Sequence, residues 1–129
     1  MLAAANRLGD AASFREVTRR GRRAASRTLV VHLLAADGRE EGAGTTVGSS
    51  GEPLFGLVVS RSVGNSVARN RVKRRLRHLL RARVDGVPSD ARVVVRALPA
   101  AAASSSALLE RDLDRCLERM SGDNGGRSA

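Results

Sequence analysis

The chain has 129 residues and 42% of them are hydrophobic, which is enough for one domain with its own core. A formal net charge of +10 indicates a polyanionic partner, with nucleic acid the first candidate and an anionic membrane surface the second. No apolar run approaches the roughly 20 residues that a membrane-spanning helix needs. The single cysteine, Cys116, excludes an internal disulfide and predicts a reducing, cytoplasmic location.

Hydrophobic periodicity predicts six elements and an α+β fold. Because the first two strands flank a Gly-, Ser- and Thr-rich segment, we expect them to pair as a hairpin across a mobile loop at 37–53, to which no function is assigned. Three strands and three helices predict a two-layer sandwich, with the helices on one side of a small sheet and a βαβ crossover. We expect one domain at 1–120 and a disordered tail at 121–129. The predicted elements are a helix capped by Asp10 and ending at Gly21, strands at 28–34 and 54–60, a basic helix after a Gly64-Asn65 turn, a strand at 91–97 and a helix at 105–120.

The basic helix carries the densest positive charge in the chain. Eight residues between 69 and 83 are Arg or Lys, and none in that interval is acidic. Its apolar residues recur at helical spacing on one narrow face, so one side is expected to pack on the core and the other to present charge. Arg69 falls inside the apolar sector, which predicts either a helix that begins after it or a special position near the helix entry. The apolar residues are Val72, Leu76, Leu79 and Leu80.

The residues that could carry catalysis are scattered. A metal-dependent nuclease needs several acids around ions roughly 3.5–4 Å apart, and no predicted strand carries even two acids. Cys116 falls on the apolar stripe of the last helix, and His32 has no assisting residue nearby in sequence, so both are expected to be structural. The pattern therefore favours binding of phosphates by the basic helix over catalysis by the protein.

The run at 58–74, VVSRSVGNSVARNRVKR, resembles the signature of the protein subunit of bacterial ribonuclease P. Its RNR triplet stands here as Arg69-Asn70-Arg71. The segments SFREV at 13–17, RGRR at 20–23 and VVVRA at 93–97 support the resemblance, which covers about residues 6–120.

The resemblance implies a non-catalytic protein subunit. The RNA subunit would hold Mg²⁺ and cleave precursor tRNA to give the mature 5′ end, and no metal site is expected on the protein. The implied partners are ribonuclease P RNA, bound one to one, and precursor tRNA, with no small-molecule substrate and no membrane. The implied fold is that of the second domain of ribosomal protein S5, with a left-handed crossover where most such connections are right-handed.

The resemblance also assigns residues to two surfaces. Contacts with the RNA subunit fall on Arg69, Asn70, Arg71, Lys73, Arg74 and Arg77, and the cleft for the 5′ leader on Phe14, Val17, Ser60 and Arg61. The chain departs from the family pattern at three places: Thr18 replaces a second aromatic residue, Ser62 replaces a lysine, and Gly9-Asp10 stands where basic residues are common.

Two other functions fit the same charge pattern. A ribosomal or general RNA-binding protein of the same fold would have no role in tRNA processing. A DNA-binding regulator would place the basic helix in a major groove, but predicted strands flank that helix on both sides, unlike a helix-turn-helix.

Overall fold

A computed structural model describes Leu8 and residues 11–35, 53–87 and 91–121. The expected Asp10 cap, nearly all of the 37–53 loop and the tail beyond Ser121 lie outside these described residues. Short 3₁₀ turns precede and follow the central helix and precede the last one. In chain order the elements are α1 (Ala11–Arg20), β1 (Arg22–Ala25), β2 (Leu29–Leu34), β3 (Leu54–Val58), α2 (Ser66–Arg81), β4 (Arg92–Ala97) and α3 (Ser106–Ser121).

The strands form one four-stranded sheet in the order β1-β2-β4-β3. β1 and β2 pair antiparallel, β2 and β4 pair antiparallel, and β3 and β4 pair parallel. The unit β3-α2-β4 is therefore the predicted βαβ crossover through the basic helix. Together with the three helices, this mixed sheet confirms the α+β class.

The predicted hairpin between the first two strands is wrong, because β2 and β3 do not pair. β4 lies between them and hydrogen-bonds to both. The hairpin partner of β2 is instead β1, which the sequence pattern did not reveal and which a connection at 26–28 joins to β2. A connection this short makes antiparallel neighbours of the two strands, whereas a long loop leaves the partner open.

Helices α2 and α3 pack on one face of the sheet. The predicted apolar face of α2 is buried there, and so is most of the stripe on α3, including the thiol of Cys116. Burial raises the pKa of that thiol, so it stays protonated and belongs to the core. The fully buried side chains at this interface include Leu29, Val31, Val93 and Val95 from the sheet, with Leu76, Leu80, Leu109 and Leu113 from the helices.

Among the described elements, α1 is the helix that packs on the other face of the sheet, so the helices do not all lie on one side as expected. Val17 of α1 packs with Leu34 and Val94 in a separate small cluster. The reason is visible in the strands, since β2 and β4 carry apolar residues at both alternating positions and need cover on both faces. On this face Arg96 of β4 is exposed.

Candidate nucleic-acid interface

The entry to α2 is a rigid turn built from three consecutive features. Val63, in the 3₁₀ turn Arg61–Val63, is buried and holds the turn on the core. Gly64 follows with a φ of 153°, a conformation that side-chain-bearing residues rarely adopt. Asn65 then caps the helix, because its Oδ1 accepts a hydrogen bond from the Ala68 amide at 2.9 Å. The predicted Gly-Asn turn therefore fixes where the helix begins.

Arg69 belongs to this entry turn. Its Nε donates a hydrogen bond to the carbonyl oxygen of Gly64 at 3.1 Å, and its own amide bonds to the Asn65 carbonyl oxygen at 2.9 Å. The regular helix thus begins before Arg69, and the alternative of a special position near the entry is the one the structure supports. The guanidinium is partly engaged with the backbone of the turn.

Four of the six residues assigned to the RNA subunit share one shallow depression of about 250 Å³ on α2. Arg71 follows Asn70 in the helix and is exposed, but it does not line the depression. None of the four cations at 71, 73, 74 and 77 makes an ion pair within the described part of the chain. The lining residues are Asn70, Lys73, Arg74 and Arg77.

Two other arginines of this region bind other parts of the protein. Arg75 Nη1 donates to the carbonyl oxygen of Ser104 at 2.9 Å. Arg83 makes ion pairs with Asp114 at 2.6 Å and with Glu110 at 2.7 Å, and thereby ties the end of α2 to α3. The paired carboxylates raise the pKa of Arg83 above its already high ordinary value, and Arg83 lowers the pKa of Asp114.

The aromatic ring assigned to the leader cleft lies directly on the backbone of β3. A Cβ atom built at Gly56 would lie 2.4 Å from Cζ of Phe14, so the ring occupies the space that any side chain at this position would need. Phe14 is half-buried in the α1 cluster. Only a glycine at this position of β3 permits the close approach of the ring.

Phe14 and the basic helix meet at the edge of β3. A second depression, of about 160 Å³, is lined on one side by Phe14 and Gly56 and on the other by Lys73 and Arg77 of α2. The two surfaces that the sequence assigned separately are therefore contiguous. The same edge of β3 is closed by Leu8, whose amide donates to the Phe55 carbonyl oxygen at 2.7 Å.

The other residues assigned to the cleft differ in accessibility. Val17 is completely buried, so it holds α1 on the sheet and offers no surface to a ligand. Ser60 and Arg61 are exposed just beyond the end of β3, and the Ser60 hydroxyl lies 2.9 Å from that of Ser62. Thr18, at the position of a missing aromatic residue, donates its hydroxyl hydrogen to the Arg15 carbonyl oxygen at 3.0 Å.

The position of α1 over the sheet is held by charge as well as by packing. The Glu16 carboxylate forms one ion pair with Arg92 of β4 at 2.9 Å and another with Arg20 at 2.9 Å. The hydrogen bond from Arg92 is the main cause of the lowered pKa of Glu16. At neutral pH this carboxylate is ionised and ties the helix to the strand that pairs with β3.

His32 lies on the same face of the sheet as α1. The sequence alone assigned this histidine no role in binding. It pairs with Arg23 on β1 and Val94 on β4. Burial, followed by the charges of Arg23 and Arg96, lowers the pKa of His32, so the ring is neutral at physiological pH. Its Nδ1 is buried without a hydrogen-bond partner among the described residues. Arg92 and Arg96 flank Val94 on this face of β4, and the strand pairing brings His32 next to them.

No three His, Cys, Asp or Glu side chains converge into a metal-binding group within residues 11–35, 53–87 and 91–121. No helix in those ranges is both long enough and apolar enough to cross a bilayer.

Comparison with known sequences gives one family. A family profile described as Ribonuclease P matches residues 2–121. The chain is 55% identical to the ribonuclease P protein component of a Nocardioides species, covering 98% of this chain and 100% of that protein. It is 46% identical to the ribonuclease P protein component of Acidothermus cellulolyticus, covering 93% of this chain and 92% of the other.

Comparison with solved structures gives the same fold. The RNase P protein of Staphylococcus aureus superposes with a TM-score of 0.72 at 21% identity, covering 88% of this chain and 94% of that one. The RNase P protein of Thermotoga maritima superposes with a TM-score of 0.68 at 19% identity, covering 88% of this chain and 96% of that one.

Proposed function

Because the chain belongs to the ribonuclease P protein component family, we propose that it binds the RNA subunit of ribonuclease P and assists in removing the 5′ leader of precursor tRNA. In this proposal the RNA subunit performs the cleavage and holds the Mg²⁺, and one copy of the protein binds one RNA subunit. The protein contributes positioning and charge neutralisation, in the cytoplasm.

The observation that carries the proposal is a group of cations without ion pairs in the described part of the chain, on a helix whose first turn is fixed by a cap. A phosphate backbone binds best to cations whose positions are already fixed, because little conformational entropy is then lost on binding. The cap at Asn65 and the turn at Gly64 fix the register of α2. Arg71, Lys73 and Arg74 are therefore presented at defined positions, with no ion-pair partner among the described residues to displace.

The leader of precursor tRNA would lie along the face of the sheet that carries α1. Phe14 supplies one aromatic surface for an unpaired base, where stacking is worth about 1–3 kcal/mol. From there the path continues past His32 and Arg96 on the sheet and ends at Ser60 and Arg61. The neutral His32 can donate a hydrogen bond to a base edge or accept one from it, while Arg96 and Arg61 bind phosphate.

Reconstitution at low Mg²⁺ tests the main proposal. The protein is added to a bacterial ribonuclease P RNA, and the rate of precursor-tRNA cleavage is measured as Mg²⁺ and salt are varied. We expect stimulation that is strongest at low Mg²⁺ and falls steeply with added salt, because the bound cations replace metal ions at the RNA backbone. Absence of stimulation would overturn the proposal, and equal affinity for ribosomal RNA would favour a general RNA-binding protein.

Substrates with and without a leader test the role of the cleft. Phe14→Leu keeps an apolar residue on Gly56 and removes the ring, so we expect about fivefold to thirtyfold weaker binding of a leader-bearing substrate by the reconstituted enzyme. Binding of mature tRNA serves as the control and should not change. An equal loss for both RNAs would mean that the substitution acts on the fold.

A further inference from the structure

A second basic surface lies away from α2. A depression of about 450 Å³ opens between the β1–β2 connection and α3. Its charged lining consists of one arginine from the connection, three from the helix and a single acid. These residues are Arg27, Arg111, Arg115, Arg119 and Asp112.

The charges of α3 are segregated into two stripes. Glu110 and Asp114 point toward α2, where both bind Arg83. The arginines at 111, 115 and 119 recur every four residues, so they form a ladder along one side of the helix with a rise of about 6 Å per step. A ladder of this kind can follow successive phosphate groups of a nucleic-acid strand.

The arginines of the ladder are available to a ligand. Arg111 and Arg115 are exposed and make no ion pair within the described residues. Arg119 is exposed as well; it donates from Nη1 to the Ala25 carbonyl oxygen at 3.1 Å, and its guanidinium carries further N–H donors. Asp112 is buried in the floor, where its Oδ2 accepts a hydrogen bond from Thr28 at 2.6 Å, so the one acid lies beneath the arginines.

The second surface is separated from the first by the width of the sheet. α3 packs against β1 and β2, whereas α2 packs against β3. β1 and β3 are the two edges of the sheet, about 14 Å apart at three strand spacings. A ligand bound at one surface therefore need not touch the other, and one protein can hold two RNA segments at once.

We propose that the depression between the β1–β2 connection and α3 is a second phosphate-binding surface, which takes an RNA segment distinct from the one bound by α2. The proposal rests on the proposed function, since it assumes an RNA partner. It extends that function from binding RNA at one surface to holding two RNA segments at once. The segment can belong to the RNA subunit or to precursor tRNA, because both present the same phosphodiester chemistry.

The test uses the reconstituted holoenzyme with matched variants. R111Q/R115Q removes two charges from the ladder, R111K/R115K keeps them, and R19Q/R22Q removes two exposed charges elsewhere. We measure the salt dependence of affinity for the RNA subunit and, separately, for precursor tRNA bound to the holoenzyme. For one of the two RNAs, R111Q/R115Q should lower the slope by about one to two units and weaken binding about fivefold to thirtyfold. R111K/R115K should restore both.

Hydroxyl-radical footprinting then locates the contact. R111Q/R115Q should lose backbone protection in a segment different from the one lost with Arg71→Ala. If R111Q/R115Q matches R19Q/R22Q in slope and footprint while the wild type still stimulates cleavage, the second surface is overturned and the proposed function stands. If the wild type neither binds RNA nor stimulates cleavage, the proposed function itself fails. Equal thermal unfolding of all variants confirms that the comparison concerns binding.

Discussion

The cations of α2 and the turn after it fall into two sets that sequence alone does not separate. One set donates to protein oxygen atoms, and the other makes no ion pair within the described residues. An oxygen partner within the protein, and not the density of charge, distinguishes a structural arginine from one available to RNA. The first set is Arg69, Arg75 and Arg83, and the second is Arg71, Lys73, Arg74, Arg77 and Arg81.

The largest effect on stability is expected for Arg83→Ala. The substitution removes hydrogen bonds to Asp114, Glu110 and the Leu79 carbonyl oxygen, so we expect the free energy of unfolding to fall by about 2 kcal/mol. Urea denaturation measures it. Arg81→Ala, two residues away and exposed, is the matched control and should change stability by less than about 0.5 kcal/mol. Equal losses in the two variants would erase the distinction between the sets.

The opposite pattern is expected for Arg71→Ala. Because the side chain is exposed and makes no ion pair among the described residues, its removal should leave the unfolding curve unchanged. Affinity for the ribonuclease P RNA should fall about tenfold, equivalent to about 1.4 kcal/mol, as expected for one lost phosphate contact. Filter binding at two salt concentrations measures it. A loss of stability without a loss of affinity would place Arg71 in the first set.

Arg69→Ala tests a member of the first set that the sequence also assigned to RNA binding. Loss of its bond to the Gly64 carbonyl oxygen should reduce stability by about 1 kcal/mol, and loss of its charge should also weaken RNA binding. Arg69→Ala and Arg71→Ala should each weaken assembly more than Arg81→Ala or Arg83→Ala does. Four equal losses of affinity would instead describe a diffuse cationic patch.

The smallest effect is a dependence on pH. Arg83 lowers the pKa of Asp114 below its ordinary value of 3.8, so the carboxylate stabilises the fold at neutral pH. This contribution is present above the unfolded-state pKa and is lost as pH falls through the lower, folded-state pKa. Asp114→Asn should therefore be less stable than wild type at pH 7, and the difference should shrink below about pH 3.8. A difference that stays constant from pH 7 to pH 3 would contradict the pairing.

The sequence predicted those elements whose apolar residues repeat strongly. The four apolar residues predicted on α2 are buried, and the Gly64-Asn65 turn begins the helix as expected. β1 was missed because RRAA contains no β-branched or aromatic residue and its two arginines resembled a basic run. Its strand conformation comes from backbone bonds to β2, which depend on tertiary structure.

The candidate site was predicted in part for a similar reason. Local sequence places Asn70, Lys73 and Arg74 on one helix, and the structure brings them into one depression. The closeness of Phe14 to Gly56 and of His32 to Arg96 depends on the order of strands in the sheet, which no local pattern encodes. The partner of Arg83 lies 31 residues away in sequence, and its role could not be read from the charge run.

The central place of β4 has a consequence for synthesis on the ribosome. β2 and β3 both hydrogen-bond to this strand, and β4 is made after α2. A nascent chain that has emerged only as far as α2 therefore lacks the strand that would join β3 to the rest of the sheet. Contacts between distant residues form late in folding. We therefore expect α2 to become fixed on the sheet only once residues 92–97 have left the exit tunnel. Correct docking on RNA would then be confined to chains whose β4 has already emerged from the ribosome.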